Sequence, residues 1–143
     1  MLGKILSKNT KLIKINDYAS SAGTTITTDT IDTQGFEGVM IFGEIETSNA
    51  GNYAKARQGA QSDMSDGADL EDTKNVPGDD GDSFLIDIYR PQERYVDVQV
   101  VRGGANTAVG TIYALLYNPR KGPVDQGDTI DRETHASPDE GTA

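Results

Sequence analysis

Apolar residues recur at every second position in several short runs of this chain, and each run is bounded by glycine, proline or polar clusters. Residues 38–46 (GVMIFGEIE) place Val39, Ile41, Gly43 and Ile45 on one face and Met40, Phe42, Glu44 and Glu46 on the other. The first half is apolar on both sides and the second on one, so the predicted strand runs from a buried centre to a solvated end. Residues 84–89 set Phe84, Ile86 and Ile88 against Leu85, Asp87 and Tyr89, and residues 95–101 set Val96, Val98 and Val100 against Tyr95, Asp97, Gln99 and Val101. Residues 111–117 (TIYALLY) alternate Ile112, Ala114 and Leu116 with Tyr113, Leu115 and Tyr117. A weaker alternation covers residues 53–57. Residues 24–33 (TTITTDTIDT) are rich in β-branched side chains, which fit a pleated strand better than a helix. A regular strand would put Ile26 and Ile31 on opposite faces, so a bulge or break between them is expected.

The links carry turn chemistry at residues 20–23, at 49–51 and at Gly103 and Gly104, and Asn118 with Pro119 ends the last ladder. A long loop over residues 59–82 is expected to cross a sheet edge, held to the core by Met64, Ala68 and Leu70. Residues 90–94 form a five-residue polar link, read as a hairpin connection between antiparallel neighbours. Residues 2–15 mix helical and strand-like spacing among lysines, and neither period lasts long enough to decide. These elements predict an all-β fold, an antiparallel β-sandwich over residues 20–120 with extended termini: a basic arm at 1–19 and an acidic tail at 121–143. The expected inner residues are Val39, Ile41, Phe84, Ile86, Ile88, Val96, Val98, Val100, Ile112, Ala114 and Leu116.

Composition sharpens this picture. The 143 residues suffice for one domain, and the absence of cysteine excludes disulfides, thiolate nucleophiles and sulfur-ligated metals. No run approaches the roughly 18 apolar residues of a membrane span, and the first residues lack the pattern of a secretory signal, so the protein is expected to act without crossing a bilayer. The net charge of −10 disfavours a general nucleic-acid or anionic-membrane binder. That charge is localised: residues 63–82 carry eight acids against Lys74 alone, and residues 123–143 six against Arg132. The rest of the chain is close to neutral, and Lys4, Lys8, Lys11 and Lys14 precede the first acid, Asp17. Oppositely charged ends suit electrostatic docking among neighbours, and equally suit solvated termini.

The search for reactive groups finds no enzyme. The single histidine, His135, stands in a polar acidic stretch without a second imidazole. Asp63, Asp66 and Asp69, and likewise Asp79, Asp80 and Asp82, have the oxygen density of calcium loops but not the EF-hand spacing, and are read as an interface or a solvated loop. No GxSxG, GxGxxG or GxxxxGK[ST] stretch occurs. Glu44 and Glu46 share a strand face at its exposed end. No cofactor or metal is expected. Tyr89, Tyr95, Tyr113 and Tyr117, with Arg90 and Arg94 beside the first pair, either cover the outer rims of the sandwich or form a surface closed by another protein.

The order IDTQGFEGVMIFGEIE, residues 53–57, GAQSDMSDGADLED, RYVDVQVV and TIYALLYNPRKGPVDQG resembles small head proteins of tailed bacteriophages, in particular capsid cement or decoration proteins of podovirus-like particles. The resemblance spans residues 24–127 and lies in patterned segments rather than a chemical motif. It implies a jelly-roll sandwich on the outer surface of the virion head, clamping neighbouring major capsid proteins and associating with itself as a dimer or trimer. It implies no catalytic residue, no direct nucleic-acid contact and no membrane. By analogy the interface falls on the N-terminal arm (Lys4, Lys8, Lys11, Lys14), the acidic loop (Asp63, Asp66, Asp69) and the chain after Pro119 (Arg120, Lys121), joined by the strand-end residues Arg90, Arg94, Tyr95 and Tyr117. A tail or neck structural protein and a carbohydrate-binding sandwich module are the alternatives.

Overall fold

The computed structural model describes residues 5–142. Apart from one helical turn, α1 (Leu6–Asn9), its regular elements are strands: β1 (Thr10–Asn16), β2 (Ala19–Ala22), β3 (Ile26–Thr27), β4 (Ile31–Asp32), β5 (Phe36–Glu44) and β6 (Asn52–Gly59). They continue with β7 (Ala68–Asp69), β8 (Ser83–Tyr89), β9 (Tyr95–Arg102), β10 (Thr107–Val109) and β11 (Ile112–Pro119). A four-stranded antiparallel sheet has the order β1-β11-β5-β8. In the second sheet β9 lies between β6 and the two short strands β3 and β4, and β7 flanks β6 on the other side. β2 and β10 form a small antiparallel ribbon.

The two sheets pack face to face as an antiparallel β-sandwich, because each contributes one continuous apolar surface. In the first sheet Val39 lies between Leu116 and Ile88, and Ile41 between Ala114 and Ile86. In the second, Ala54 and Ala56 stand opposite Val100 and Val98. These residues meet across the core with Phe84, Val96, Ile112, Ile15, Ile31, Ile45 and Val109, all essentially removed from water. Ten of the expected inner residues are fully buried; Ile88, near the end of β8, is only partly buried against the cluster. The β-branched segment breaks as expected. Thr28 stays bonded to Val98, but Asp29 N–H turns to Ile15 O (2.8 Å) between β3 and β4, so Ile26 and Ile31 both reach the core while flanking the same strand, β9.

Three sequence expectations are corrected. Residues 90–94 do not close a hairpin: β8 pairs with β5 and β9 with β6, so the link crosses from one sheet to the other. It is fixed at both ends, with Arg90 N–H donating to Glu37 O (2.7 Å) and Thr33 Oγ1 donating to Arg94 O (2.7 Å). Alternation reads the same for neighbours in one sheet as for strands facing each other across the core, which is why the pattern misled. Second, the segment expected as a basic arm contains β1, whose Ile15 is buried and whose Ile13 packs against the core. Third, of the anchors expected in the long loop, Met64 is buried and Leu70 packs on the core, whereas Ala68 is exposed on β7.

Polar burial at the end where β9 leaves its sheet is fully compensated. Arg102, 6% exposed, donates from Nε to Thr24 O (2.6 Å), from Nη1 to Ser20 O (2.9 Å) and Thr107 O (3.0 Å), and from Nη2 to Thr24 Oγ1 (3.0 Å). One guanidinium thereby holds three segments together with no carboxylate partner among the described residues, the carbonyl oxygens supplying the acceptors a buried cation requires.

Candidate interaction face

The alternation that points Val39, Ile41, Ile86, Ala114 and Leu116 inward points their neighbours outward in three rows across the four-stranded sheet. The first row is Lys14, Tyr113, Phe42 and Leu85, the second Leu12, Leu115, Met40 and Asp87, the third Thr10, Tyr117, Gly38 and Tyr89. Only Thr10, Lys14, Gly38 and Asp87 interrupt an apolar and aromatic surface. Phe42 and Tyr113 stack with ring centroids 6.1 Å apart and planes inclined by 26°. Leu85 and Tyr89, on the outermost strand, are 53% and 56% exposed. The corresponding face of the second sheet is polar, carrying Lys55 and Arg57 from β6 beside Asp97 and Gln99 from β9.

The polar side chains on the apolar face each have a partner within the chain. A β-carbon on Gly38 would collide with the ring and hydroxyl of Tyr117, so the glycine is what lets this ring lie across β5. From there Tyr117 O–H donates to Asp87 Oδ1 on β8 at 2.6 Å. Burial first, and then this bond and the carboxylate charge, push the Tyr117 hydroxyl well above the ordinary tyrosine range. Lys14 pairs with Asp17 at 2.8 Å, a hydrogen bond that raises its pKa. On the β1 and β11 side the chain's own C-terminal segment closes in: Ile130, Arg132 and Thr134 border the same shallow groove as Leu12 and Leu115.

Several of the residues expected at an interface gather at one end of the sandwich. Lys11, Arg120 and Lys121 line one cleft, and Arg90, Arg94 and Arg120 line the adjoining one. Arg94 donates to both oxygens of Asp32 (2.9 and 2.8 Å), which holds the Asp32 carboxyl below its ordinary range, and its guanidinium stacks 5.1 Å from the Tyr95 ring centroid. Arg90 has a left-handed backbone (φ 53°), lies over Tyr89 at 5.1 Å and reaches only to 3.9 Å from Glu37. Lys8 sits in α1, Lys14 on the apolar face, and Lys4 lies outside the described residues.

Acids of the long loop build its turns. Asp66 accepts from Ala60 N–H (2.8 Å) and Gln61 N–H (3.1 Å), and Asp63 from Ser65 N–H (2.9 Å); these bonds lower both pKa values. Asp69 pairs with Lys55 at 2.7 Å. Among the described residues no three acids or histidines are grouped as metal ligands. The sequence reading missed Leu12, Met40, Phe42, Leu85 and Leu115 as surface residues of interest. Their signal was the two-sided apolar character of residues 38–42 and 112–117.

This is an all-β protein of two packed antiparallel sheets. No family model matches the sequence, and no curated protein matches it. The chain is similar to one in the structure of infectious bursal disease virus, Gt strain, at 16% identity and a TM-score of 0.36. The alignment covers 76% of this chain and 31% of that one, so it spans about a third of that protein, and the superposition is too loose to transfer a role.

Proposed function

We propose that this chain is a structural subunit of a tailed-phage head, a cement or decoration protein that sits on the outer surface of the shell and bridges neighbouring major capsid proteins. The observation that carries the reading is the sheet that is apolar on both faces. A solvated antiparallel sheet ordinarily turns a polar face outward, as the second sheet does here, so the first is built to be covered.

Strand order supports a jelly roll as the scaffold. With β3 and β4 counted as one and the β2–β10 ribbon set aside, eight strands are arranged 1-8-3-6 in one sheet and 2-7-4-5 in the other. This order matches that of the double Greek key of viral capsid and lectin domains. It also accounts for the crossing of residues 90–94 between sheets. Fold analogy alone does not assign a role, and lectins share the architecture. The two-sided sheet favours a protein partner over a sugar, because Leu12, Leu115, Met40, Phe42 and Leu85 make its outer rows largely aliphatic and apolar.

Cosedimentation tests the reading. The purified chain, mixed with expanded DNA-free head shells of the phage that encodes it, is expected to pellet with them and to saturate at a fixed number of copies per capsid protein. A chain that stays in the supernatant with shells but pellets with tails would belong to the tail or neck. One that pellets with neither and binds arrayed glycans would be a carbohydrate module.

A further inference from the structure

We propose that the outer face of the four-stranded sheet, from β11 across β5 to β8, is the docking surface, and that its occupant is a basic protein surface on the shell rather than a second copy of this chain. The inference rests on the head-protein reading and adds to it the face used and the charge of the partner.

Charge selects that occupant, and area sets how far the interface must reach. Three strands spaced about 4.8 Å apart, with three rows of outward residues rising about 3.4 Å per residue, make a patch about 15 by 20 Å, or roughly 300 Å². Specific complexes bury about 800 Å² per partner. With either occupant the interface would therefore extend beyond the patch onto the surrounding surface of the chain. The patch border is acidic. Glu44 continues the outward row beyond Phe42, and Asp82 immediately precedes Ser83, its cross-strand partner. Asp80 stands in the same turn, where Gly81 N–H donates to Glu46 O (3.0 Å) and Asp80 itself accepts from Ser48 N–H (2.6 Å). Asp72 and Asp87 flank Leu85 along the β8 edge. The nearby cations are fewer than these acids: Lys14 is paired with Asp17, while Lys74 and Arg90 keep their charge over the rings of Tyr53 (4.3 Å) and Tyr89 (5.1 Å). A second copy would bring the same acids, and its own charge of −10, against this border. A basic partner relieves the repulsion and gains steering. On the face itself Tyr117 O–H satisfies one oxygen of Asp87, and the carboxylate keeps its charge for a cationic group of the partner.

The experiment uses the same shells and three variants of the full chain. Leu85→Asn with Tyr89→Asn changes two side chains that are more than half exposed, so the fold is kept, which thermal melting verifies. Glu44→Lys reverses one border charge, and Gln99→Ala marks the polar face of the second sheet. We expect the double variant to bind at least tenfold more weakly, Glu44→Lys to bind several-fold more weakly with a reduced salt dependence, and Gln99→Ala to match wild type. Wild type binding with the double variant unaffected overturns this face while leaving the head-protein reading intact. Salt-independent binding, or Glu44→Lys binding like wild type, overturns the basic partner. A wild-type dimer in sedimentation velocity that the double variant abolishes assigns the face to a second copy and also overturns the inference. Wild type that ignores the shells overturns the underlying reading, and this inference falls with it.

Discussion

Replacing Arg57 with methionine removes one partner of the most deeply buried ion pair in the described residues. Arg57 on β6 and Asp97 on β9 are direct cross-strand partners. Arg57 donates from Nε to Oδ1 at 2.9 Å and from Nη2 to Oδ2 at 2.6 Å, and this bond raises the guanidinium pKa. The Asp97 side chain is 2% exposed and that of Arg57 18%. Methionine preserves the apolar stem but leaves a carboxylate stranded away from water, a change that typically costs about 3–5 kcal/mol. The partial exposure of Arg57 lets some water in, which places the expected loss at the lower end, about 3 kcal/mol. An unfolding entropy of about 2.1 cal/mol/K per residue, over 143 residues, gives roughly 0.3 kcal/mol per degree. Tm should therefore fall by about 10 °C. Adding Asp97→Leu removes the stranded charge, and the double variant should regain most of the loss, since a well-packed apolar pair often replaces a buried ion pair at little cost. Circular-dichroism melts of wild type, both single variants and the double close the cycle. A shift under about 3 °C for Arg57→Met, or a double variant no better than the single, would falsify the claim that a desolvated carboxylate sets the cost.

Two further perturbations address the face and the loop. Gly38→Ala should displace the Tyr117 ring, break its bond to Asp87 and cost about 1–3 kcal/mol. Ultraviolet titration should then find Tyr117 ionising nearer the ordinary value of about 10, whereas in wild type its raised pKa contributes stability that is present below about pH 10 and lost above; an unchanged titration would contradict the steric argument. In the long loop, the lowered pKa values of Asp63 and Asp66 mean that their contribution is present above the unfolded value of about 3.9 and lost as pH falls through the lower folded values. Hydrogen-exchange protection at Ala60, Gln61 and Ser65, corrected for intrinsic rates, should decline between about pH 5 and pH 3, and Asp66→Asn should flatten the decline at Ala60 and Gln61; flat wild-type protection would show that other contacts hold the turn.

Much of the sandwich interior was legible because strand periodicity is local: Val96, Val98 and Val100 announce an inward face whatever strand lies beside them. What pairs with what is not local. Nothing in residues 84–101 says that β8 and β9 belong to different sheets, since either arrangement buries Phe84, Ile86 and the three valines equally well. Small core residues also gave little signal, so Ala54 and Ala56 read as a weak strand although both are fully buried. Asp97 lies on the outward face, yet it is buried, with both of its oxygens taken by Arg57. β1 was obscured by its lysines, whose long stems let an edge strand keep charges in water while Ile13 and Ile15 reach the core. At the candidate face, the two-sided apolar character of residues 38–42 and 112–117 was visible, but that it forms continuous rows followed only once register set Phe42 beside Tyr113 and Leu85.

The edges of the four-stranded sheet bear on how the protein associates. An open edge strand is a template for main-chain pairing, and proteins that must not pair there blunt it. On β1, the side-chain amide of Gln126 takes the place of a neighbouring strand: Leu12 N–H donates to its Oε1 (2.9 Å), and its Nε2 donates to Thr10 O (2.7 Å) and Ser7 O (3.1 Å). Val124 N–H donates to Lys8 O (2.9 Å) alongside, and Arg132 ties the segment down through Ser7 O and Val124 O. On β8, Asn75 Nδ2 donates to Leu85 O (3.2 Å). Both margins thus carry side-chain amides on the groups that strand addition would use. A partner that adds a strand would first have to displace these contacts, whereas one that covers the apolar rows has no bond to break. The same chain that ties down its β1 margin leaves Leu85 and Tyr89 open on the sheet face, and that contrast is the physical reason to look for the partner on the face.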